Sequence, residues 1–128
     1  GGEQVKLSPG QAQWWRFKAA HFDAVLLFKM GKFYEMFESD AHVGAECLGL
    51  VYMRGEQPHC GFPEKNYAAN AERLARAGHR VVVVEQTETP EQLAERNRRA
   101  SGPKDAVVRR EKVAVLTRGT LVEPEMLA

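Results

Sequence analysis

Apolar residues along this chain fall into two kinds of run. From Ala24 to Met30 every position but Lys29 is apolar. Such continuity is expected of a strand covered on both faces, because a half-exposed strand would alternate. Phe33 to Phe37 follows across Gly31-Lys32, a two-residue turn that predicts an antiparallel hairpin. Arg80 to Gln86 holds four consecutive valines and reads as another covered strand. Between these runs stand helix signals. Ser8-Pro9-Gly10-Gln11 combines a capping Ser, a Pro at the first helical position and a Gln placed to complete a capping box. The helix it opens is predicted to reach about Ala20 and to bury part of Trp14, Trp15 and Phe17. Thr89-Pro90-Glu91-Gln92 repeats that logic before a charged helix to about Arg99, which Ala100-Ser101-Gly102-Pro103 breaks. Ser39-Asp40 supplies a third cap, for a helix to about Leu48 with Gly49 at its end. Tyr67 to Ala77 has helical character and Gly78 is its stop. Leu50 to Met53 reads as a short strand, and Arg54 to Asn66 as a loop rich in Gly, Pro and polar residues. Val107 to Thr117 reads as two β-rich parts split by Arg109 to Lys112.

Strands alternating with helices predict the α/β class: a mixed β-sheet with flanking α-helices in a single domain. The sheet cannot be wholly parallel, because the hairpin supplies an antiparallel pair. At 128 residues the chain is long enough for a substantial core. Two adjacent Trp residues cannot share one helix face, so one of Trp14 and Trp15 is expected to pack against something outside this chain.

Charge narrows the choice of partners. The formal net charge is +1. A free-standing tight DNA binder is usually far more basic, so any DNA contact here is local or relies on other domains for phosphate neutralisation. The basic run Arg96, Arg98, Arg99, Lys104, Arg109 and Arg110 is diluted by Glu95, Asp105 and Glu111, and reads as a solvated helix face and loop rather than a DNA track. Cys47 and Cys60 make neither a disulfide framework nor a metal-ligand pattern, and are expected to be structural cysteines of a reducing compartment. The longest apolar runs fall far short of a membrane span. No secretory signal and no Gly-x-x-x-x-Gly-Lys-[Ser/Thr] nucleotide loop is visible. Residues 1–5 read as a cloning scar or linker.

The stretch with most chemical content is Lys29-Met30-Gly31-Lys32-Phe33-Tyr34-Glu35-Met36-Phe37. Phe33 and Glu35 are two apart, so on a strand both point to one side. A ring beside a carboxylate at a hairpin mouth, next to Lys32, suits entry into a nucleic-acid groove, the ring stacking on a base while the acid tests its edge. The bland alternative is a surface hairpin with one core Phe and a solvated Glu. A nuclease built on Glu35, Glu38 and Asp40 is a distant alternative: Glu35 and Glu38 are three apart on a strand and face opposite ways.

Gly31-Lys32-Phe33-Tyr34-Glu35 followed by Asp40-Ala41 resembles the mismatch-reading loop of the MutS family of DNA mismatch-repair proteins. Further matches stand in the family's order. Gly61-Phe62-Pro63 resembles its Gly-aliphatic-Pro loop, with Phe62 for the usual aliphatic residue. Val84-Glu85-Gln86 resembles its strand-end Glu-Gln, and Thr117-Arg118-Gly119-Thr120 its closing Thr-x-Gly-Thr. Leu7-Ser8-Pro9-Gly10 with Trp14-Trp15, and Glu85-Gln86-Thr87-Glu88-Thr89-Pro90, are similar to one branch, the eukaryotic mismatch-reading subunit of the MutSα heterodimer. The likeness runs from about Leu7 to the C-terminus, so residues 6–128 would form a mismatch-recognition domain, a fragment of a larger protein.

The resemblance implies the same mixed sheet and a role for each residue of the loop. Phe33 would be a wedge inserted from the minor groove at base–base mismatches and small loops. Glu35 would probe the stacked base. Purine N7 and an ionised carboxylate are both acceptors only, so a bond between them requires Glu35 to carry a proton. On properly paired DNA Glu35 would stay charged and repel. Lys32, with Lys29, would meet phosphates, and Met30, Gly31 and Tyr34 would line the groove, although strand alternation equally allows a core Tyr34. Met53-Arg54 falls where the family has a second groove-edge contact, with a core Met53 as the other reading. Lys65 and Asn66 would reach the backbone of bent DNA. The domain would be a DNA-recognition module with no cofactor and no catalysis of its own. ATP and Mg would belong to an ATPase domain of the nuclear parent protein, whose partners would be mismatched duplex DNA and a second MutS homologue. A module whose wedge is unused, and which only docks on a partner, is the remaining alternative.

Overall fold

In a computed structural model of the chain, residues 6–121 are described; the reading of residues 1–5 lies outside them. Two strands carry the centre of the fold. β1 (Val25–Met30) and β4 (Val81–Gln86) run parallel, Val25 beside Val81 and Phe28 beside Val84. Their first four residues are all buried, as expected for strands covered on both faces. β2 (Phe33–Phe37) returns antiparallel on β1, and β3 (His59–Pro63) antiparallel on β2. β5 (Arg110–Leu116) lies antiparallel on β4, giving the order β3-β2-β1-β4-β5.

The faces of this mixed sheet bury different sets. On one, Val25, Leu27, Val81, Val83, Tyr34, Met36, Cys60 and Phe62 pack under α2 (Ser39–Leu48) and α3 (Tyr67–Arg76), through residues such as Ala41, Ala71 and Leu74. On the other, Leu26, Phe28, Val82 and Val84 meet Trp14 and Phe17 of α1 (Pro9–Ala20). Each fully buried large apolar side chain contributes about 1.5–3 kcal/mol. Trp14 is 1% exposed and Trp15 39%, so the pair does divide between core and surface.

Both proline-led helices begin as their sequences predict. Ser8 and Gln11 bond reciprocally at the start of α1, and Thr89 and Gln92 at the start of α4 (Pro90–Arg99). α4 buries no residue. It is tied down by Arg96, which pairs with Glu88 at 2.8 Å and with Asp105.

Four local expectations fail, each for a tertiary reason. Ser39-Asp40 is not the cap of α2. Glu38 takes that position, at φ 55° and without a side-chain bond, while Asp40 is buried. Its Oδ2 accepts the Leu26 N–H at 3.0 Å and its Oδ1 pairs with Lys18 Nζ at 2.9 Å, joining α1, β1 and α2. Leu50 to Met53 is not a strand: Val51 is 82% exposed. The strand lies later, at β3, inside the segment read as loop, where Cys60 and Phe62 alternate inward between Gly and Pro residues that mask the pattern. Val107 to Thr117 is not split at its charged residues, because Arg110, Glu111 and Lys112 are themselves strand, paired with Gln86, Glu85 and Val84. A bulge opposite Val83/Val84 leaves exposed Val113 out of the ladder.

Candidate nucleic-acid interface

The β1–β2 hairpin turns on Gly31-Lys32, with Met30 opposite Phe33. Gly31 has φ 62°, a conformation open to Gly and costly for most other residues. Three bonds from outside the hairpin fix its tip. The Gly31 N–H donates to Gln86 Oε1 at 3.1 Å, the Glu64 N–H donates to the Lys32 carbonyl at 2.8 Å, and Arg110 Nε donates to the Lys29 carbonyl at 2.8 Å. Arg110 also lies over the Phe28 ring, 4.6 Å from its centroid, and burial lowers its pKa. It is half-buried bracing and not part of the solvated basic face, unlike Arg96, Arg98 and Arg99, which pair with acids.

Strand alternation divides the hairpin's side chains. Tyr34 is buried against Phe62 and Tyr67, its hydroxyl donating to Glu85, and burial is the first cause of its raised pKa. Of the two readings open for Tyr34, the structure has the core one, which leaves only its backbone for a groove. Lys29 is also drawn inward. Its ammonium lies 2.6 Å from Glu64 and 3.8 Å from Glu85, over the Tyr34 ring, so it is committed to acids and not offered to phosphates. The strand-end Glu85-Gln86 thus grips the hairpin three times, through Tyr34, Lys29 and Gly31.

Phe33, Glu35 and Phe37 occupy the opposite face. Phe37 packs against Trp14 and Phe28. Phe33, beyond the cover of α1, is 46% exposed at the tip beside exposed Met30, Gly31 and Lys32. Its packing inside the sheet beside Phe37 does not occur. Glu35 is half-buried between Phe28 on one strand and Gly61 on the other.

Glu35 has a partner that local reading missed. Its Oε2 lies 2.9 Å from His59 Nε2, and the His59 ring stacks on Phe37 at 5.1 Å and 14°. An ionised carboxylate only accepts, so the imidazole Nε2–H donates. The signal was available once β3 was placed, because His59 stands opposite Phe37 and so shares its face with Glu35. Gly61 completes the arrangement: a Cβ there would stand 2.5 Å from Glu35 Oε2.

The remaining candidates lie apart. Met53 and Arg54 are exposed. The Met53 N–H donates to the His59 carbonyl at 2.7 Å, at the end of β3 away from the tip. Four residue rises along β3, from His59 to Pro63, separate that end from Phe33's level, about 14 Å. A core Met53 is excluded. Lys65 and Asn66 are exposed in a short 3-10 turn after β3.

Glu35, Glu38 and Asp40 form no metal cluster, since Asp40 is committed to Lys18 and Leu26. Among the described residues no group of three or more His, Cys, Asp or Glu residues could hold a metal ion. Both cysteines are free. Burial pushes the Cys60 thiol up to about 11, with the Glu35 charge adding to it, so this thiol is inert at neutral pH.

A family model described as MutS domain I matches residues 8–125. The chain is 65% identical over 122 residues to the DNA mismatch repair protein MSH6 of Arabidopsis thaliana, an alignment covering 95% of the chain and 9% of that relative. It is 44% identical over 115 residues to the DNA mismatch repair protein Msh6 of Homo sapiens, covering 88% and 8%. With the DNA mismatch repair protein MutS of Rhodopseudomonas palustris (strain BisB18) it shares 38% over 130 residues, covering 97% and 14%. The chain spans about a tenth of the length of the first of these relatives.

Proposed function

The chain belongs to the MutS family, as its domain I, and from that premise we propose that it probes duplex DNA for base–base mismatches and small insertion or deletion loops. Phe33 is the wedge. Entering from the minor groove, its ring stacks on a mispaired base, at an unstacking cost of a few kcal/mol that is lower where pairing is already defective. That difference gives selectivity without reading any particular sequence. Glu35 probes the stacked base and meets purine N7 as a carboxylic acid. Lys32 meets phosphate beside the wedge, Met30, Gly31 and the Tyr34 backbone line the groove, and Met53-Arg54 contacts its edge farther along.

One observation carries this reading: an exposed aromatic ring at the tip of a hairpin braced from three sides. Nearly half of a large apolar side chain is left in water on a rigid support, and a Glu two residues on shares its face. Binding through a loose loop carries an ordering cost, and the three braces on the hairpin backbone reduce it here. The same observation disfavours a docking module with an unused wedge. The parent protein is a nuclear ATPase acting with a second MutS homologue, which supplies the phosphate contacts that a net charge of +1 does not.

The test is affinity for a G·T duplex and its matched control, measured on the full-length protein with its partner at fixed salt. Phe33→Ala is expected to abolish the preference for G·T. Glu35→Gln is expected to bind the matched duplex more tightly, because the repelling charge is gone. An unchanged preference in Phe33→Ala refutes the wedge. A Gln variant that binds neither duplex more tightly refutes the repulsion.

A further inference from the structure

Glu35 is held by one oxygen. Oε2 accepts from His59, while Oε1 has no hydrogen bond among the described residues. The holder is itself fixed. Its ring stacks on Phe37, which is packed edge-on against Trp14 and Phe28, and the β2–β3 register sets Phe37 beside His59. The carboxylate lies over Gly61, where no side chain intervenes. His59 is also tied on its outer side, its carbonyl accepting from the Met53 N–H.

We propose that His59 is the positioning residue of the mismatch probe. This rests on the reading of Glu35 given above. A free Glu side chain samples many rotamers, and only a few present an oxygen to a base stacked on Phe33. With Oε2 fixed by the Nε2–H, the rotamer is set before DNA arrives and Oε1 is the oxygen that meets the base. The proton that Glu35 needs to donate to N7 is thereby assigned to Oε1. The imidazole does not touch DNA; it acts through Glu35. The hydrogen bond spans two residues 24 apart in sequence, joined only by strand pairing.

The test uses the full-length protein with its partner, and the ratio of G·T to matched-duplex affinity. His59→Phe keeps a ring to stack on Phe37 and removes the donor. It is expected to lower the ratio about two- to tenfold, the equilibrium worth of one hydrogen bond. His59→Gln, whose amide N–H can donate, is expected to restore most of it. In a Glu35→Ala background, His59→Phe is expected to change nothing further. On the 128-residue chain itself, imidazole nitrogen NMR is expected to find Nε2 protonated and its resonance displaced by Glu35→Ala. If Phe33→Ala and Glu35→Ala lose discrimination while His59→Phe keeps it, the positioning role alone is overturned. It is overturned too if His59→Phe acts equally with and without Glu35. If Phe33→Ala and Glu35→Ala both keep discrimination, the mismatch-reading proposal falls and this one with it.

Discussion

Replacing Gly61 by Ala puts a methyl carbon 2.5 Å from Glu35 Oε2, 3.0 Å from its Cδ and 3.0 Å from the Tyr34 carbonyl oxygen. Nonbonded contacts are comfortable nearer 3.5 Å, so the carboxylate must retreat by about 1 Å. The retreat breaks its 2.9 Å bond to His59 or drags the ring off Phe37. The Tyr34 oxygen belongs to the neighbouring strand's backbone and yields only if the β2–β3 ladder splays. Overpacking of this kind costs about 1–3 kcal/mol, and the lost hydrogen bond about 1 kcal/mol. Restricting the unfolded chain returns about 0.4–1 kcal/mol. The expected net is a destabilisation of about 1–3 kcal/mol, read by urea unfolding of the 128-residue chain. In a Glu35→Ala background two of the three close contacts vanish and only the Tyr34 oxygen at 3.0 Å remains, so the same substitution is expected to cost clearly less than it does with Glu35 present. In the full-length protein, Gly61→Ala is also expected to lower the preference for G·T while leaving matched-duplex affinity nearly unchanged. An equal cost in both backgrounds, or a cost below about 0.5 kcal/mol with Glu35 present, refutes the argument that Gly61 exists to seat the carboxylate.

Three further outcomes are expected. Asp40→Ala strips the Leu26 N–H of its acceptor and Lys18 of its counter-charge; breaking such a buried pair is expected to cost about 3–5 kcal/mol in urea unfolding, and a cost under about 1 kcal/mol sinks the idea. Glu38→Gly relieves a left-handed backbone at φ 55°; strain of this kind is worth about 1–3 kcal/mol, less about 0.5–1 kcal/mol for the freer unfolded chain, so a stabilisation near 1 kcal/mol is expected in thermal unfolding, and destabilisation contradicts it. The Glu88 carboxyl is lowered from 4.5 to about 2, first by its hydrogen bond from Arg96, then by the Arg109 N–H. With the folded value depressed, the stabilisation is present above pH 4.5 and lost as pH falls toward 2. Unfolding followed between those limits should show an acid-side slope that Glu88→Gln flattens, and an unchanged slope refutes the assignment.

Much of this fold is legible in the chain because the signals are local. A Ser or Thr, then Pro, then Gln at fixed offsets satisfies the first amides of a helix whatever surrounds it, and both such starts stand where the residues put them. Four valines in a row have one economical use in a domain of this size, a strand covered on both faces, and β4 is that strand. The Gly31-Lys32 turn fixes its own register, so Phe33 and Glu35 fall on one face by alternation alone. The order of motifs carried the family as well.

Tertiary structure decided which side chains meet. Asp40 has the composition of a cap and the position of a buried ion-pair partner, because Lys18 reaches it across 22 residues. His59 and Cys60 are neighbours in sequence, yet strand alternation sends Cys60 into the core and His59 to Glu35. Lys29 and Lys32 look alike along the hairpin, and only the approach of Glu64 and Glu85 separates the bound cation from the exposed one. β3 itself, an edge strand among glycines and prolines, becomes a strand by pairing with β2 and hardly by its own preference. Local periodicity and capping act within a few residues of chain and are written there. Hydrogen bonds and ion pairs between segments depend on distances that exist only after the sheet has assembled, so the pairing of Phe33 and Glu35 on one face of the hairpin was readable from the chain and the residue that holds Glu35 was not.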